Sequence, residues 1–246
     1  MFINNYMFYN YNGTSIFYEQ KRESEGVTNV FLHGWQRSGE DFREVIESQK
    51  ITNYVLLDFP PFGKSENIKG WNIFTYVNML ISLLDYLKIK RVNLIGHSFG
   101  GRIAIIFTAI KREYVSRLIL LDSAGMKPRK SLRRILKIHS YKLRKKLGFN
   151  VENFGSSDYR ALSKEMKETF KSVVNTYLEE YAKQISSQTL IIYGENDKET
   201  PIYMAKKLNK LIVNSRLEII RNSGHFCFVD NKIKVGKMIG SFLKEE

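Results

Sequence analysis

The stretch LIGHSFGGR, Leu94 to Arg102, sets a serine between glycines at the spacing Gly-x-Ser-x-Gly: Gly96, Ser98 and Gly100, with Gly101 extending it. An apolar run precedes it and IAIIF follows, so a strand enters this turn and a helix leaves it. A tight strand-to-helix turn strains its central residue and holds that side chain out above the sheet edge. Small residues two places to either side let strand and helix pass closely. The helix start also aims free N–H groups and partial positive charge at any anion formed nearby. The chemistry that suits such a place is attack by a hydroxyl.

A serine hydroxyl is a poor nucleophile until a base takes its proton. The chain has four histidines, His33, His97, His139 and His225. His225 follows a predicted strand, where its ring can return to the carboxyl end of a sheet. His33 and His97 are expected to brace the loop and the elbow in which they stand. His139 falls on an apolar helical stripe. A carboxylate behind His225 would fix its tautomer and stabilise the imidazolium. Asp197 and Asp122 both follow predicted strands and both qualify at this point. Asp58 reads as a loop support and Cys227 as a packed thiol.

The elements that must position these groups alternate along the chain. Strand patterns at Tyr6–Tyr11 and Ser15–Glu19 flank Asn12-Gly13, a strong hairpin signal. Further short strands are predicted at Val27–Leu32, Tyr54–Leu57, Val92–Ile95, Arg117–Leu121, Leu190–Tyr193 and Arg216–Ile220. Helical patterns cover Arg37–Gln49, Ile73–Leu87, Phe99–Lys111, a stretch after Pro201 and the C-terminus. Continuous apolar strands alternating with helices predict an α/β fold. The expected sheet is mostly parallel, of about eight strands, with helices on both faces. Residues 126–188 show no strand pattern. They are expected to form a helical lid inserted after the sixth strand, leaving 1–125 and 189–246 as the core. In the lid, Leu132, Ile135, Leu136, His139, Leu143 and Leu147 share one stripe, with Ser131 as N-cap and Gly148 as stop. A second helical region is expected at about Tyr159–Ile185.

Five pieces, HGWQRSGEDF, DFPPFGKS, GHSFGGR, GENDKETP and NSGHFCFVD, together resemble the α/β-hydrolase fold superfamily over nearly the whole chain. The stretch GSSDYRALSKEMKETFKSVVN also looks like a branch of small bacterial hydrolases. The chain order Ser98, Asp197, His225 is the order of that superfamily. By this resemblance the Gly-x-x-Asp-x-x-x-Pro loop supplies the acid, which favours Asp197, with Asp122 as the alternative. The resemblance also implies an oxyanion hole made by the backbone N–H groups of Trp35 and Phe99. Trp35, Phe62, Met126 and Phe226 are expected to line the substrate pocket. The implied activity is a serine hydrolase of a small ester or related acyl compound. Carbon–carbon bond hydrolysis, thioester or lactone cleavage, and ligand binding on a hydrolase scaffold remain alternatives.

Composition narrows the rest. The chain has 246 residues, 43% of them hydrophobic, which suits a globular core. One cysteine excludes an internal disulfide, and no signal-peptide pattern opens the chain, so a cytoplasmic setting is expected. No metal-binding or nucleotide-binding motif stands out, and no cofactor is expected. Of the net charge of +14, the segment Lys127–Leu147 carries ten Lys or Arg residues and no acid. Nucleic acid or a membrane surface is a candidate partner there, or the charges attract an anionic substrate; the acyl substrate itself is expected to be a small molecule, anionic or apolar. A solvated helix face is the favoured reading.

Overall fold

The computed structural model describes residues 5–23, 25–68, 70–129, 140, 159 and 162–245. Its strands are β1 (Asn5–Tyr11), β2 (Thr14–Arg22), β3 (Thr28–Leu32), β4 (Asn53–Leu57), β5 (Val92–His97), β6 (Val115–Leu121), β7 (Gln188–Gly194) and β8 (Ser215–Ile220). The described helices are α1 (Arg43–Ser48), α2 (Ile73–Tyr86), α3 (Phe99–Ile110), α4 (Lys164–Asn175), α5 (Glu179–Ala182), α6 (Ile202–Leu211), α7 (Cys227–Asp230) and α8 (Lys232–Lys244).

All eight strands form one sheet in the order β1-β2-β4-β3-β5-β6-β7-β8. Asn12 and Gly13, at φ 49° and 85°, give the backbone that a two-residue hairpin needs, and β1 pairs antiparallel with β2. β2 runs antiparallel to β4, and from β4 to β8 every pairing is parallel. The parallel strands are apolar on both faces because helices cover both. Val30, Leu32, Val55, Leu57, Leu94 and Leu118 face the cluster packed by α2, α3 and α6. Their alternates, among them Phe31, Leu56, Ile95 and Ile119, face the cluster packed by α1 and α8. Each such side chain, fully buried, contributes about 1.5–3 kcal/mol.

The helix expected over Arg37–Gln49 is split. A 3-10 turn at Gly39–Phe42 leads into α1. The Gly39 N–H donates to Asp58 Oδ1 at 2.8 Å instead of continuing a helix. Between β6 and β7, the described residues include α4 and α5. Ser163 caps α4 by accepting from the Met166 N–H, and Met166, Thr169 and Val173 are its buried side chains. The helix expected over Leu132–Leu147, with Ser131, His139 and Gly148, lies outside the described residues except at Ser140. So does most of the basic segment Lys127–Leu147. No helix among the described residues is long and apolar enough to cross a membrane.

Sheet order reverses direction at β3 and β5, which lie side by side with Leu32 opposite Gly96. The loops after these two strands therefore splay apart at the carboxyl edge of the sheet and leave a crevice. The loops after β6, β7 and β8 end along the same edge.

Candidate active site

Ser98 stands between β5 and α3 with φ 47° and ψ −105°. A non-glycine residue there costs on the order of 1–3 kcal/mol, and the surroundings must hold it. They do. The Ser98 N–H donates to the Leu121 carbonyl at 3.0 Å, and its own carbonyl accepts from Ala124 at 3.2 Å and Arg102 at 3.3 Å. Closeness explains the glycines. A Cβ on Gly96 would lie 2.8 Å from Gly100 O, and one on Gly100 would run into the Leu32 carbonyl. The Gly100 N–H donates to His33 O at 3.0 Å, which locks the elbow to the loop after β3.

His225 arrives from the loop after β8. Its Nε2 accepts from Ser98 Oγ at 2.9 Å, and its Nδ1–H donates to Asp197 Oδ2 at 2.9 Å. The two bonds together assign the tautomer. Asp197 comes from the loop after β7. Its Oδ1 accepts the backbone N–H groups of Glu199 at 2.8 Å and Thr200 at 2.9 Å, and its Oδ2 also accepts the Thr200 hydroxyl. Burial pushes the Asp197 carboxyl up, but the bonds from His225 and Thr200 outweigh it, and its pKa lies below the usual value. For His225, burial opposes the charged ring. The bond and charge of Asp197, then the charge of Glu199, more than offset this, so its pKa is raised above 6.5. Glu199 Oε2 lies 3.4 Å from His225 Nε2 on the solvent side.

Asp122 is fully buried and does a different job. Its Oδ1 accepts from the Gly194 N–H at 2.7 Å and its Oδ2 from the Cys227 N–H at 3.0 Å. It thus ties the end of β7 and the start of α7 to β6, while His225 bonds Asp197. Burial raises the Asp122 pKa to about 6, against the pull of those bonds. Cys227 is buried, and desolvation, then the charge of Asp122, push its thiol up.

The other two described histidines, His33 and His97, brace. His33 Nδ1–H donates to Gly34 O and its Nε2 accepts the Phe59 N–H, both at 2.7 Å. Asp58 accepts the N–H groups of Gly39 and Lys64, holding the loop after β4. His97 is buried beneath the site and its Nε2–H donates to the His225 carbonyl at 2.8 Å. Its Nδ1 has no partner among the described residues and rests against Gly34, where a Cβ would lie 2.7 Å away. Burial, then the charge of His225, drive the His97 pKa down to about 3, so the ring is neutral.

A cavity of about 710 Å³ opens over Ser98 and His225. Trp35, Phe99, Met126 and Phe226 line it. Among the described residues, no acceptor takes the backbone N–H of Trp35 or of Phe99. Phe62 is absent from the described lining. It packs edge-on behind Trp35, with ring centroids 4.9 Å apart, because the turn after β4 turns it toward that indole. Sequence reasoning missed the far wall: Phe170, Val173 and Val174 of α4, Tyr177, and Arg102 of α3. The apolar phase of α4 was readable. What that face covers was not.

Residues 30–171 match the family model of the alpha/beta hydrolase fold. The chain is 28% identical over 261 residues to the uncharacterized hydrolase YugF of Bacillus subtilis (strain 168), covering 94% of this chain and 95% of that protein. It is 26% identical over 251 residues to a 2-hydroxy-6-oxononadienedioate/2-hydroxy-6-oxononatrienedioate hydrolase of Escherichia coli, covering 88% and 86%. Among solved structures, the esterase EaEST from Exiguobacterium antarcticum superposes with a TM-score of 0.75 at 24% identity, covering 95% and 97%.

Proposed function

Since this chain belongs to the alpha/beta hydrolase fold family, we propose that it is a serine hydrolase cleaving a small ester or related acyl compound through an acyl-Ser98 intermediate. One observation carries the reading: Ser98 Oγ, His225 and Asp197 are joined by two hydrogen bonds of 2.9 Å. Ser98 attacks the acyl carbon as His225 Nε2 takes its proton, and Asp197 stabilises the imidazolium. The tetrahedral oxyanion is held by the N–H groups of Trp35 and Phe99, each such donor being worth about 2.7–4 kcal/mol. His225 then gives its proton to the leaving group and activates the water that releases the acid. Residues 126–188 act as a lid over the core formed by 1–125 and 189–246; the lining of the cavity by α4 supports this.

The test is a panel of p-nitrophenyl esters of increasing chain length, with acyl-CoA substrates alongside, run on the native protein and on Ser98→Ala. Turnover lost in Ser98→Ala is expected. Equal rates for the two proteins contradict the proposal. A second reading is hydrolysis of a carbon–carbon bond on the same three residues. It is favoured by the likeness to the Escherichia coli 2-hydroxy-6-oxononadienedioate/2-hydroxy-6-oxononatrienedioate hydrolase. Faster turnover of that compound than of any ester in the panel selects it.

A further inference from the structure

Arg102 stands four residues after Ser98 on α3, and its side chain lines the same cavity. It is 7% exposed. Its Nη1 donates to the carbonyl oxygens of Val173 at 2.9 Å and Thr176 at 2.8 Å, and Nη2 reaches Val174 O at 3.5 Å. These carbonyls close the C-terminus of α4, whose dipole end supplies only about half a negative charge. No carboxylate among the described residues bonds the guanidinium. Glu179 acts on it through charge, but Glu179 is already taken by Lys207 at 2.6 Å and by the Lys127 N–H at 2.8 Å. The Nε–H and the second Nη2–H have no acceptor among the described residues.

A buried charge is normally matched by a full counter-charge, and among the described residues this one has none bonded to it. The unmatched cation sits on the wall of a cavity whose floor is a reactive serine. The other charged groups on that wall do not compete. Arg37 is held by both oxygens of Asp41, at 2.6 and 2.7 Å. Glu199 lies beside His225 and repels an anion from that end. We infer that Arg102 binds a carboxylate of the substrate, so that the compound cleaved at Ser98 carries an anionic group directed toward the C-terminus of α4. The guanidinium fork matches a carboxylate in geometry as well as charge. The inference rests on the acyl-Ser98 reading and deepens it.

Matched pairs test it. 4-nitrophenyl hemiadipate is compared with 4-nitrophenyl hexanoate for an anion on the acyl side. For the leaving side, 4-acetoxybenzoate is compared with its methyl ester. Ser98→Ala supplies the spontaneous background. In at least one pair the anion is expected to give a kcat/KM about tenfold or more above its neutral partner, expressed in KM. Arg102→Met should bring that ratio to about one, and Arg102→Lys should keep part of it. No preference in either pair, or a preference that survives in Arg102→Met, overturns the inference. If Arg102→Met does not fold, adipate and dimethyl adipate are compared for binding to the native protein by ligand-observed NMR. Tighter binding of the dianion supports the subsite, and equal binding removes it. Ser98-dependent hydrolysis without charge preference sinks this inference alone. Absence of that hydrolysis sinks the acyl-Ser98 reading, while the binding comparison still decides the subsite.

Discussion

Replacing His97 by leucine removes the ring that carries the loop of His225, the proposed base. The Nε2–H bond to the His225 carbonyl is 2.8 Å long and lies under the site. The His97 ring centroid is 5.0 Å from that of His225, 4.8 Å from Phe226 and 5.1 Å from Phe228. Leucine keeps apolar bulk but strands a half-buried carbonyl, which costs up to about 1–3 kcal/mol. In a chain of this size that lowers Tm by about 2–12 °C. The catalytic effect is separate. His225 is held from Asp197 on one side and from its backbone on the other, and loss of the backbone anchor lets the ring drift. A displacement of about 1 Å at a reacting group costs on the order of 10²-fold in rate. His97→Leu is therefore expected to lower kcat on an activated ester by about 10–10²-fold with KM within about twofold. His97→Gln, whose amide N–H extends toward the same carbonyl, should recover most of kcat. Steady-state kinetics and thermal unfolding of the three proteins are the assay. A His97→Leu protein with undiminished kcat and only a lower Tm refutes the positioning role.

Asp197→Asn should lower kcat on the order of 10²–10⁴-fold, whereas Asp122→Asn should spare kcat within about tenfold and lower unfolding stability by about 1–3 kcal/mol; steady-state kinetics and urea unfolding separate the two, and the opposite pattern reverses the assignment. His225 must be neutral to act as base and its pKa is raised, so kcat/KM should climb with pH through a midpoint above 6.5. Glu199→Gln removes one cause of that rise and should move the midpoint down; a pH–rate profile that does not move contradicts the role of Glu199. Gly100→Ala drives a methyl into the Leu32 carbonyl, backbone that cannot yield cheaply, and should cost about 3 kcal/mol or more in a chemical unfolding curve.

Much of this arrangement was legible because Ser98, Asp197 and His225 stand at strand ends, and strand ends are marked by local sequence. Ser98, Asp197 and His225 each follow an apolar run and a glycine-bearing turn, so their common edge follows from a parallel sheet. What was illegible depends on distant contact. Asp122 and Asp197 both follow strands; the loop motif favours Asp197, but what Asp122 does instead depends on the pairing of β6 with β7 and the approach of Cys227. Phe62 carries no local sign that it would turn behind Trp35. Arg102 reads as one more basic residue until α4 lies across it, with no carboxylate among the described residues bonded to it. The same holds for Val173 and Val174, whose helical phase shows an apolar face but not the cavity that it closes.

The activation of Ser98 by His225 and Asp197 is the central proposal. Its most direct measurement is the rate at which a fluorophosphonate probe labels the protein, with the labelled peptide located by mass spectrometry. Rapid modification at Ser98, abolished in Ser98→Ala and slowed strongly in His225→Ala, is the expected result. Modification at another residue, or at the same rate without the imidazole, contradicts it.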